Sequence, residues 1–346
     1  MGGPRVSIVV TNYNYGRFVG QAIDSVLGQT YPNVEVIVVD DGSTDDSREV
    51  ITGYGNRIIP ILKVNGGEGS AFNAGFAASS GDLVLFLDAD DTLHPEALAT
   101  VAAAWKPGVA KVHFPLETTN AAGVPLGVRN PAEPLPSGDL KPQILRFGFH
   151  TTPPNSAIAF SRTVLEQLMP IPEATWRLYA DYYLIALAAL LGPVVALDTC
   201  LGSYRVHDKN VSWNTGNASG LQLERLRREM TYEIARVEAI QQFSRDHDIA
   251  VRPDMVWRNP GHAKNRLLSL RLDPAGHPWP GDVPSRLLML GIKAAWTFPQ
   301  FGLVQRIKTT AGMLLAFALP KGWLLPFSEG RLRRFHGTGS AQTVGD

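Results

Sequence analysis

Between Val6 and Leu87 the chain switches between two hydrophobic periods. Val6–Val10 (VSIVV) is an almost unbroken β-branched run, as a strand buried on both faces requires. Phe18, Ala22, Ile23, Val26 and Leu27 then recur at helical spacing until Tyr31-Pro32 stops the helix. Val34–Val39 reads as a second strand, Ser43-Thr44-Asp45 as the cap of a helix running toward Ile51, and Ile58–Lys63 as a third strand. A glycine-rich turn (Gly66, Gly67, Gly69) leads into a helix over Ala71–Ala78, and Asp82–Leu87 is a fourth strand. Pro95 suits the first turn of the next helix. This order predicts a doubly wound α/β fold with a mostly parallel central sheet, whose ligands bind beyond the carboxyl ends of the strands. After Val109 the alternation loosens. Residues 117–138, rich in Pro and Gly, read as a loop or short hairpin. Helical spacing returns at 161–169 and 181–191, strand patterns near 194–198 and 201–206, and Leu221–Phe243 is a charged helix.

Composition narrows the class. Apolar residues make up 45% of the 346 and charged residues 18%, enough for a sizeable core and too apolar for disorder. The single Cys200 rules out a disulfide framework or a Cys-built zinc cluster and reads as a packed core residue. Lys plus Arg equals Asp plus Glu at 32 each, which argues against coating of nucleic acid. That balance hides an asymmetry: residues 286–336 hold eight Lys or Arg and one acid, leaving 24 basic and 31 acidic residues elsewhere, +7 against −7. The same tail interleaves Trp296, Phe298, Phe301, Trp323 and Phe327 with its cations but never reaches the ~18 uninterrupted apolar residues of a membrane span. Two readings stand for it: helices lying on a bilayer surface, or a subdomain packed on the sheet or on a second copy. The opening MGGPRVSIVV lacks a signal-peptide pattern, which predicts a cytoplasmic location, peripheral on the membrane face if the tail binds lipid.

Polar residues gather where the strands end. Thr11-Asn12-Tyr13-Asn14 follows the first strand, Asp40-Asp41-Gly42-Ser43-Thr44-Asp45 the second, and Asp88-Ala89-Asp90-Asp91 the fourth. Each alone is ordinary turn chemistry; three at one sheet edge point to a ligand site. On an extended chain residues i and i+2 face the same side, so Asp88 and Asp90 can converge on a hard cation such as Mg²⁺ or Mn²⁺, with Asp91 as an extra ligand. The turn after the first strand, TNYNYGRF, has one glycine and no dinucleotide fingerprint, and no Walker pattern occurs.

The segments VSIVVTNYNYGRFVGQAIDSVLGQTYPNVEVIVVDDGSTDDS and NGGEGSAFNAGFAASSGDLVLFLDADD together resemble family 2 glycosyltransferases of the GT-A fold. The likeness is dense from Val6 to about Asp91 and thinner to about Ser212. It implies a GT-A catalytic domain over 1–219 with a helical C-terminal region over 220–346. It also implies a nucleotide-sugar donor, a UDP-sugar first, Mg²⁺ or Mn²⁺, and inverting transfer to a hydroxyl of a glycan or lipid-linked acceptor. Carried over residue by residue, Thr11 and Tyr13 contact and stack on the base, while Asp41 accepts from a uracil-type N3–H and Asp40 braces the loop. Asn73, in SAFNAG, stands where the family has A-R-N-G, with Phe72 in place of the arginine. Asp88 would bind ribose, and Asp90, joined by Asp91, the metal. WRLYAD (Trp176–Asp181) resembles the family's acidic pair before a helix: Ala180 replaces the first acid, and Asp181 remains as the base. Tyr204-Arg205-Val206-His207 resembles a stretch that places Arg205 on the donor and His207 on the metal. Asn210-Val211-Ser212 is formally a glycosylation sequon. Two other readings stand beside this one. A catalytically inactive nucleotide-sugar-binding scaffold would explain Ala180 and Phe72. A sugar-1-phosphate nucleotidyltransferase needs a Gly-rich, basic loop after the first strand, which TNYNYGRF does not supply.

Overall fold

The computed structural model describes residues 3–208, Asn210 and residues 219–324. Its first part follows the expected alternation: β1 (Val6–Asn12), α1 (Gly16–Leu27), β2 (Val34–Asp40), α2 (Ser47–Thr52), β3 (Ile59–Leu62), α3 (Glu68–Ala78) and β4 (Leu83–Asp88), then β5 (Thr92–Leu93) and α4 (Ala97–Ala104). There follow β6 (Lys111–His113), β7 (Leu116–Thr119), β8 (Pro125–Asn130), α5 (Lys141–Phe147), β9 (Ile158–Ser161), α6 (Arg162–Leu168), α7 (Ala180–Leu191), β10 (Val194–Ala196) and β11 (Gly202–Arg205). The helices α8 (Ser219–Asp246), α9 (Pro260–Leu272), α10 (Pro284–Thr297) and α11 (Leu303–Ala318) complete the described chain.

A seven-stranded sheet runs in the order β10-β6-β9-β4-β1-β2-β3. β1 pairs in parallel with β2 on one side and β4 on the other. The chain thus leaves β1 toward β2 and β3, then returns to the far side of β1 as β4, so the strand order reverses between β1 and β4. Such a reversal opens a crevice at the carboxyl ends of the two strands. The register sets Thr11 opposite Asp88 at that crevice, with Asp40 beyond Asn12 on the other flank. Helices cover both faces of the sheet, which is why β1, β2 and β4 read as continuous apolar runs rather than alternating ones. Val6, Ile8 and Val10 of β1 pack with Val19, Ala22, Ile23 and Val26 of α1 in the main core, each large side chain contributing ~1.5–3 kcal/mol on full burial.

Several elements escape the sequence pattern. β9 is antiparallel to both β4 and β6, the one reversal in the large sheet. At three and four residues, β6 and β9 are too short to display a period, and β9 runs directly into α6. Residues 117–138 contain the hairpin β7–β8, which joins β5 and β11 in a second, four-stranded sheet. The N-cap residue of α2 is Asp46, which makes no side-chain cap bond; Asp45, one residue earlier, accepts from Ser47 N at 3.0 Å, and Ser43 Oγ accepts from Asn14 N at 2.8 Å. Cys200 is half-buried in a loop, not a core residue as expected.

The described residues group into two compact units, one within 1–215 and 232–255 and one within 216–231 and 256–346. The second has its own core of Leu267, Leu268, Leu272, Leu287, Met313, Ala316 and Leu324. Within it Arg266 lies between the rings of Trp257 and Trp279, 4.7 and 4.2 Å from their centroids, and forms a two-pronged ion pair with Asp282. No described helix is long and apolar enough to cross a membrane.

Phe72 explains its own departure from the family pattern. Its ring is 0% exposed and stacks on Phe86 of β4 with centroids 4.2 Å apart and planes 11° apart. The position therefore faces the core, where a guanidinium would be buried. Phe72→Ala is expected to cost ~3–5 kcal/mol, the usual range for an emptied aromatic site. Urea unfolding at constant m-value checks this, and a loss below ~1 kcal/mol would contradict the packing role.

Candidate active site

The crevice between β1 and β4 opens into a cleft of about 920 Å³. Thr11, Tyr13, Asp41, Asp88, Asp90 and Asp181 all line it. Asn73, Asp91, Arg205 and His207 do not, and their partners show what they do instead.

The second-strand acids divide their work. Asp40 is fully buried and accepts from Asn12 Nδ2, Ser43 N and Arg48 Nε at 2.9, 3.1 and 2.8 Å. Burial works against its charge, but Ser43, Arg48 and Asn12 hold its carboxyl below the usual range. Asp41 accepts from Lys63 Nζ at 2.7 Å, Gly66 N at 2.9 Å and Gly67 N at 2.7 Å, which ties the loop before α3 to the end of β2. A carboxylate has about four acceptor positions, so one remains on Asp41. Tyr13 is 48% exposed, a ring open to the cleft beside it.

At the end of β4, Asp88, Asp90 and Asp91 bring carboxylate oxygens within 4.8 Å of one another. Burial, then Asp90, then Asp181 push the Asp88 carboxyl up to about 8, against the bonds from Asn155 and Ser156. Asp91 is driven up by burial, Asp90 and Asp88. Three mutually repelling carboxylates, all hard oxygen donors, suit a divalent cation of the Mg²⁺ or Mn²⁺ class.

Arg205, His207 and Asn210 surround this cluster. Arg205 N donates to Asp91 Oδ1 at 3.0 Å, and Ser156 Oγ to Asp91 Oδ2 at 2.6 Å. His207 Nε2 lies 2.9 Å from Asp90 Oδ2, and Asn210 Nδ2 donates to the same oxygen at 3.0 Å. Both bonds fall on one oxygen, so neither occupies Asp90 Oδ1. This corrects two expectations. The His207 side chain is wholly buried against Tyr15 and Phe18, with its Nε2 on Asp90; it orients that carboxylate and does not line the cleft. Arg205 is also buried: Nε donates to Asp90 O, Nη1 to Ala121 O and Nη2 to Gln21 Oε1, and its guanidinium lies over Phe18. With its forks so used, it braces the acid turn and does not reach a donor in the cleft. Asn210, with Oδ1 accepting from His207 N at 2.6 Å, is buried and bonded in a way that excludes glycosylation there; Val211 and Ser212 lie outside the described residues.

Asn73 is likewise corrected. Its amide exchanges both hydrogen bonds with the Ile171 backbone, 2.7 and 3.0 Å, and reaches Glu173 at 3.1 Å. It pins the 171–173 loop to α3, outside the cleft.

Asp181 stands in the first turn of α7, which begins just after Tyr179, a residue in the left-handed region at φ 54°. Burial pushes its carboxyl up to about 6, against bonds from the Tyr182 and Asp181 amides and the charge of Arg236. Among the cleft residues that sequence reasoning missed are Tyr15, Glu68, Arg177 and Tyr232. Glu68 was hidden in a glycine turn and Tyr232 in a charged helix beyond 219. Arg177 stood within a quoted motif; its guanidinium is bonded to Asn65, and it is the one Lys or Arg among the described lining residues.

The family model for Glycosyl transferase family 2 matches residues 7–167. An uncharacterized glycosyltransferase of Nostoc sp. is 38% identical over 224 residues, 63% of this chain and 70% of that one. Glycosyltransferase GlyG of Streptococcus pneumoniae is 35% identical over 100 residues, 28% of this chain and 33% of that one. Among solved structures, S. aureus TarS 1–349 in complex with UDP-GlcNAc matches with TM-score 0.50 at 17% identity, covering 94% of this chain and 92% of that one. That likeness speaks to the fold alone, and the fold is GT-A. The 1–91 motifs, the switch-point cleft and the Nostoc relative agree: the chain belongs to glycosyltransferase family 2.

Proposed function

We propose that the enzyme transfers a sugar with inversion, in a divalent-metal-dependent reaction, from a nucleotide sugar to a hydroxyl of a glycan or lipid-linked acceptor. The observation that carries this reading is one cleft lined by the exposed Tyr13 ring, by Asp88 and Asp90 of the acid cluster, and by Asp181. On the platform, the open Tyr13 ring offers a stacking face worth ~1–3 kcal/mol to a nucleobase. The remaining acceptor position of Asp41 favours a base with an imide N3–H, so a UDP-sugar ranks first. Thr11, opposite Asp88 in the sheet register, completes the nucleoside end, with Asp88 toward the ribose.

Asp90, with Asp88 beside it and Asp91 behind, would hold Mg²⁺ or Mn²⁺. When bound, such an ion supplies positive charge to the departing diphosphate. Arg177 is the side-chain cation available to the same phosphates. Asp181 takes the acceptor hydroxyl's proton as that oxygen attacks the anomeric carbon; the new C–O bond forms as the bond to the diphosphate breaks. A base near 6 is charged at neutral pH and still basic enough to accept that proton.

In this reading the catalytic domain expected over 1–219 also takes in residues 232–255, and the helices α10 and α11 of the second unit meet a membrane surface. Exposed Met289 and Trp296 on α10, and Leu303, Val304, Ile307 and Leu314 on α11, make an apolar face. Trp296 Nε1 donates to Thr310 Oγ1 at 3.0 Å, joining the two helices. From Val283 to Leu324 there is no Asp or Glu, while Arg286, Lys293, Arg306, Lys308 and Lys321 supply positive charge. Phe298 is buried in the second unit and is no part of this face; Phe327 and the arginines at 331, 333 and 334 lie outside the described residues.

Calorimetry with Mn²⁺ should rank UDP or dTDP above GDP, and Asp90→Ala or a chelator should weaken UDP at least tenfold. Unchanged affinity in both would remove the metal assignment. Asp181→Asn keeps the shape but not the basicity, so transfer should fall by at least ~10²-fold with UDP affinity intact. In the wild type, kcat/KM should decline as pH drops through about 6, because the base is active only as the carboxylate. Near-normal turnover of Asp181→Asn would sink its role. Flotation with anionic vesicles at low salt should carry the protein upward, each basic residue at the surface being worth ~1 kcal/mol. Sedimentation without the vesicles would favour a packing subdomain.

A further inference from the structure

The part of the cleft wall that carries Asp181 is aromatic. Tyr179, Tyr182 and Tyr232 line the cleft together with Asp181. Their rings form one contiguous group: the Tyr179 centroid lies 5.2 Å from that of Tyr182 and 5.0 Å from that of Tyr232. Behind them Trp176, 2% exposed, places its ring 5.9 Å from Tyr232. Two further contacts fix the outer rings. Tyr232 Oη accepts from Leu178 N at 3.2 Å, and the Arg236 guanidinium lies 5.1 Å from the Tyr182 centroid. Tyr232 and Arg236 belong to the same compact unit as Asp181. Tyr179 is buried, whereas Tyr182 and Tyr232 are partly exposed, so these two present ring surface to the cleft.

Chemistry and charge together say what such a wall takes. A pyranose has an apolar face of C–H groups and a rim of hydroxyls, and a tyrosine offers a flat apolar ring with a polar tip. With its oxygen accepting from Leu178 N, the Tyr232 hydroxyl can still donate to a hydroxyl on that rim. The described lining residues include five carboxylates, Asp41, Glu68, Asp88, Asp90 and Asp181, against one cation, Arg177. Arg177 is bonded to Asn65 and, in the proposed reading, serves the donor's diphosphate. Arg236 lies against Tyr182 and Phe149 and is not among the lining residues. An anionic acceptor would therefore find no further cation among the described lining residues and would be repelled by the acids.

From this arrangement we propose that Tyr182 and Tyr232 form the acceptor subsite and stack on an uncharged sugar ring, so that the acceptor is a neutral saccharide and not a phosphate-bearing polyol or a lipid phosphate. The proposal rests on Asp181 as the base, because the hydroxyl that reacts must lie beside that carboxylate. Tyr179 and Trp176 act from behind, holding the two exposed rings in place.

Saturation-transfer NMR on the full chain with Mg²⁺ and UDP reads acceptor binding without turnover. The probes are the methyl glycosides of glucose, galactose, mannose and N-acetylglucosamine, with glycerol phosphate as the anionic probe. At least one glycoside is expected to bind, with saturation strongest on its ring C–H protons, and glycerol phosphate is expected to give no signal. Tyr182→Leu keeps apolar bulk but not the flat ring and should weaken that glycoside about tenfold or more, whereas Tyr182→Phe should hold it within about threefold. Affinity for UDP should stay within about twofold in both. If Tyr182→Leu fails to fold, Tyr232→Leu carries the same expectation, and the preference of the wild type among the probes decides independently. Silence of every glycoside, binding of glycerol phosphate in preference to all of them, or glycoside affinity unmoved by both leucine substitutions would overturn the proposal. Asp181→Asn is run in parallel and should keep the glycoside signal while losing transfer to it from UDP-sugars. If transfer persists there, the base assignment falls and takes the acceptor role with it. If transfer is lost while the leucine variants bind as the wild type does, only the subsite falls.

Discussion

Three carboxylates at the end of one strand repel one another, and the local architecture of the first unit is arranged to hold them there. Two unit charges ~5 Å apart interact by ~3 kcal/mol at an effective dielectric constant near 20. Asp88, Asp90 and Asp91 crowd within 4.8 Å. The restraint comes from residues more than a hundred positions away: the Arg205 backbone and side chain, His207 and Asn210 all bond to Asp90 or Asp91. The second sheet follows from the same need, since β11 pairs with β5, immediately after the acid turn, and delivers Arg205 to it. The cluster's unrelieved repulsion is also its chemistry, because it makes the site a place where positive charge is stabilised.

The opposite wall of the cleft is built by a different device. Where the acid turn uses side chains to hold side chains, the carbonyls of Arg177 and Trp176 are held by the backbone amides of Glu68 and Gly69. Glycines at 67 and 69 permit this contact because any side chain would separate the two backbones. The loop 65–69 therefore touches both functional ends, Asp41 on one side and the start of α7 on the other. In the proposed reading this links placement of the base to placement of the nucleotide.

The central sheet was legible because parallel strands buried on both faces leave unbroken runs such as VSIVV and DLVLFL. The acids of the cleft were legible because they sit where such runs stop. What stayed hidden had no local signal. β6 and β9 are too short to show a period. Arg205 and His207 look like ligands in sequence, since a cation and an imidazole near acids invite that reading. Only the fold shows their polar atoms turned to Asp90 and Asp91 from behind. Asn73 similarly spends its amide on the Ile171 backbone, a contact between residues 98 apart. Glu68 is the converse case: amid turn glycines it resembles a solvated helix-start acid, yet it lines the cleft.

In the proposed reading Asp181 would face a donor anchored by its nucleotide and act as the base of a single displacement. Its most direct test is the anomeric configuration of the first-formed product, read by proton NMR during transfer from an α-linked nucleotide sugar. The account predicts a β-linked product from the first turnover onward. An α-linked product would contradict it, whatever the effect of changing Asp181.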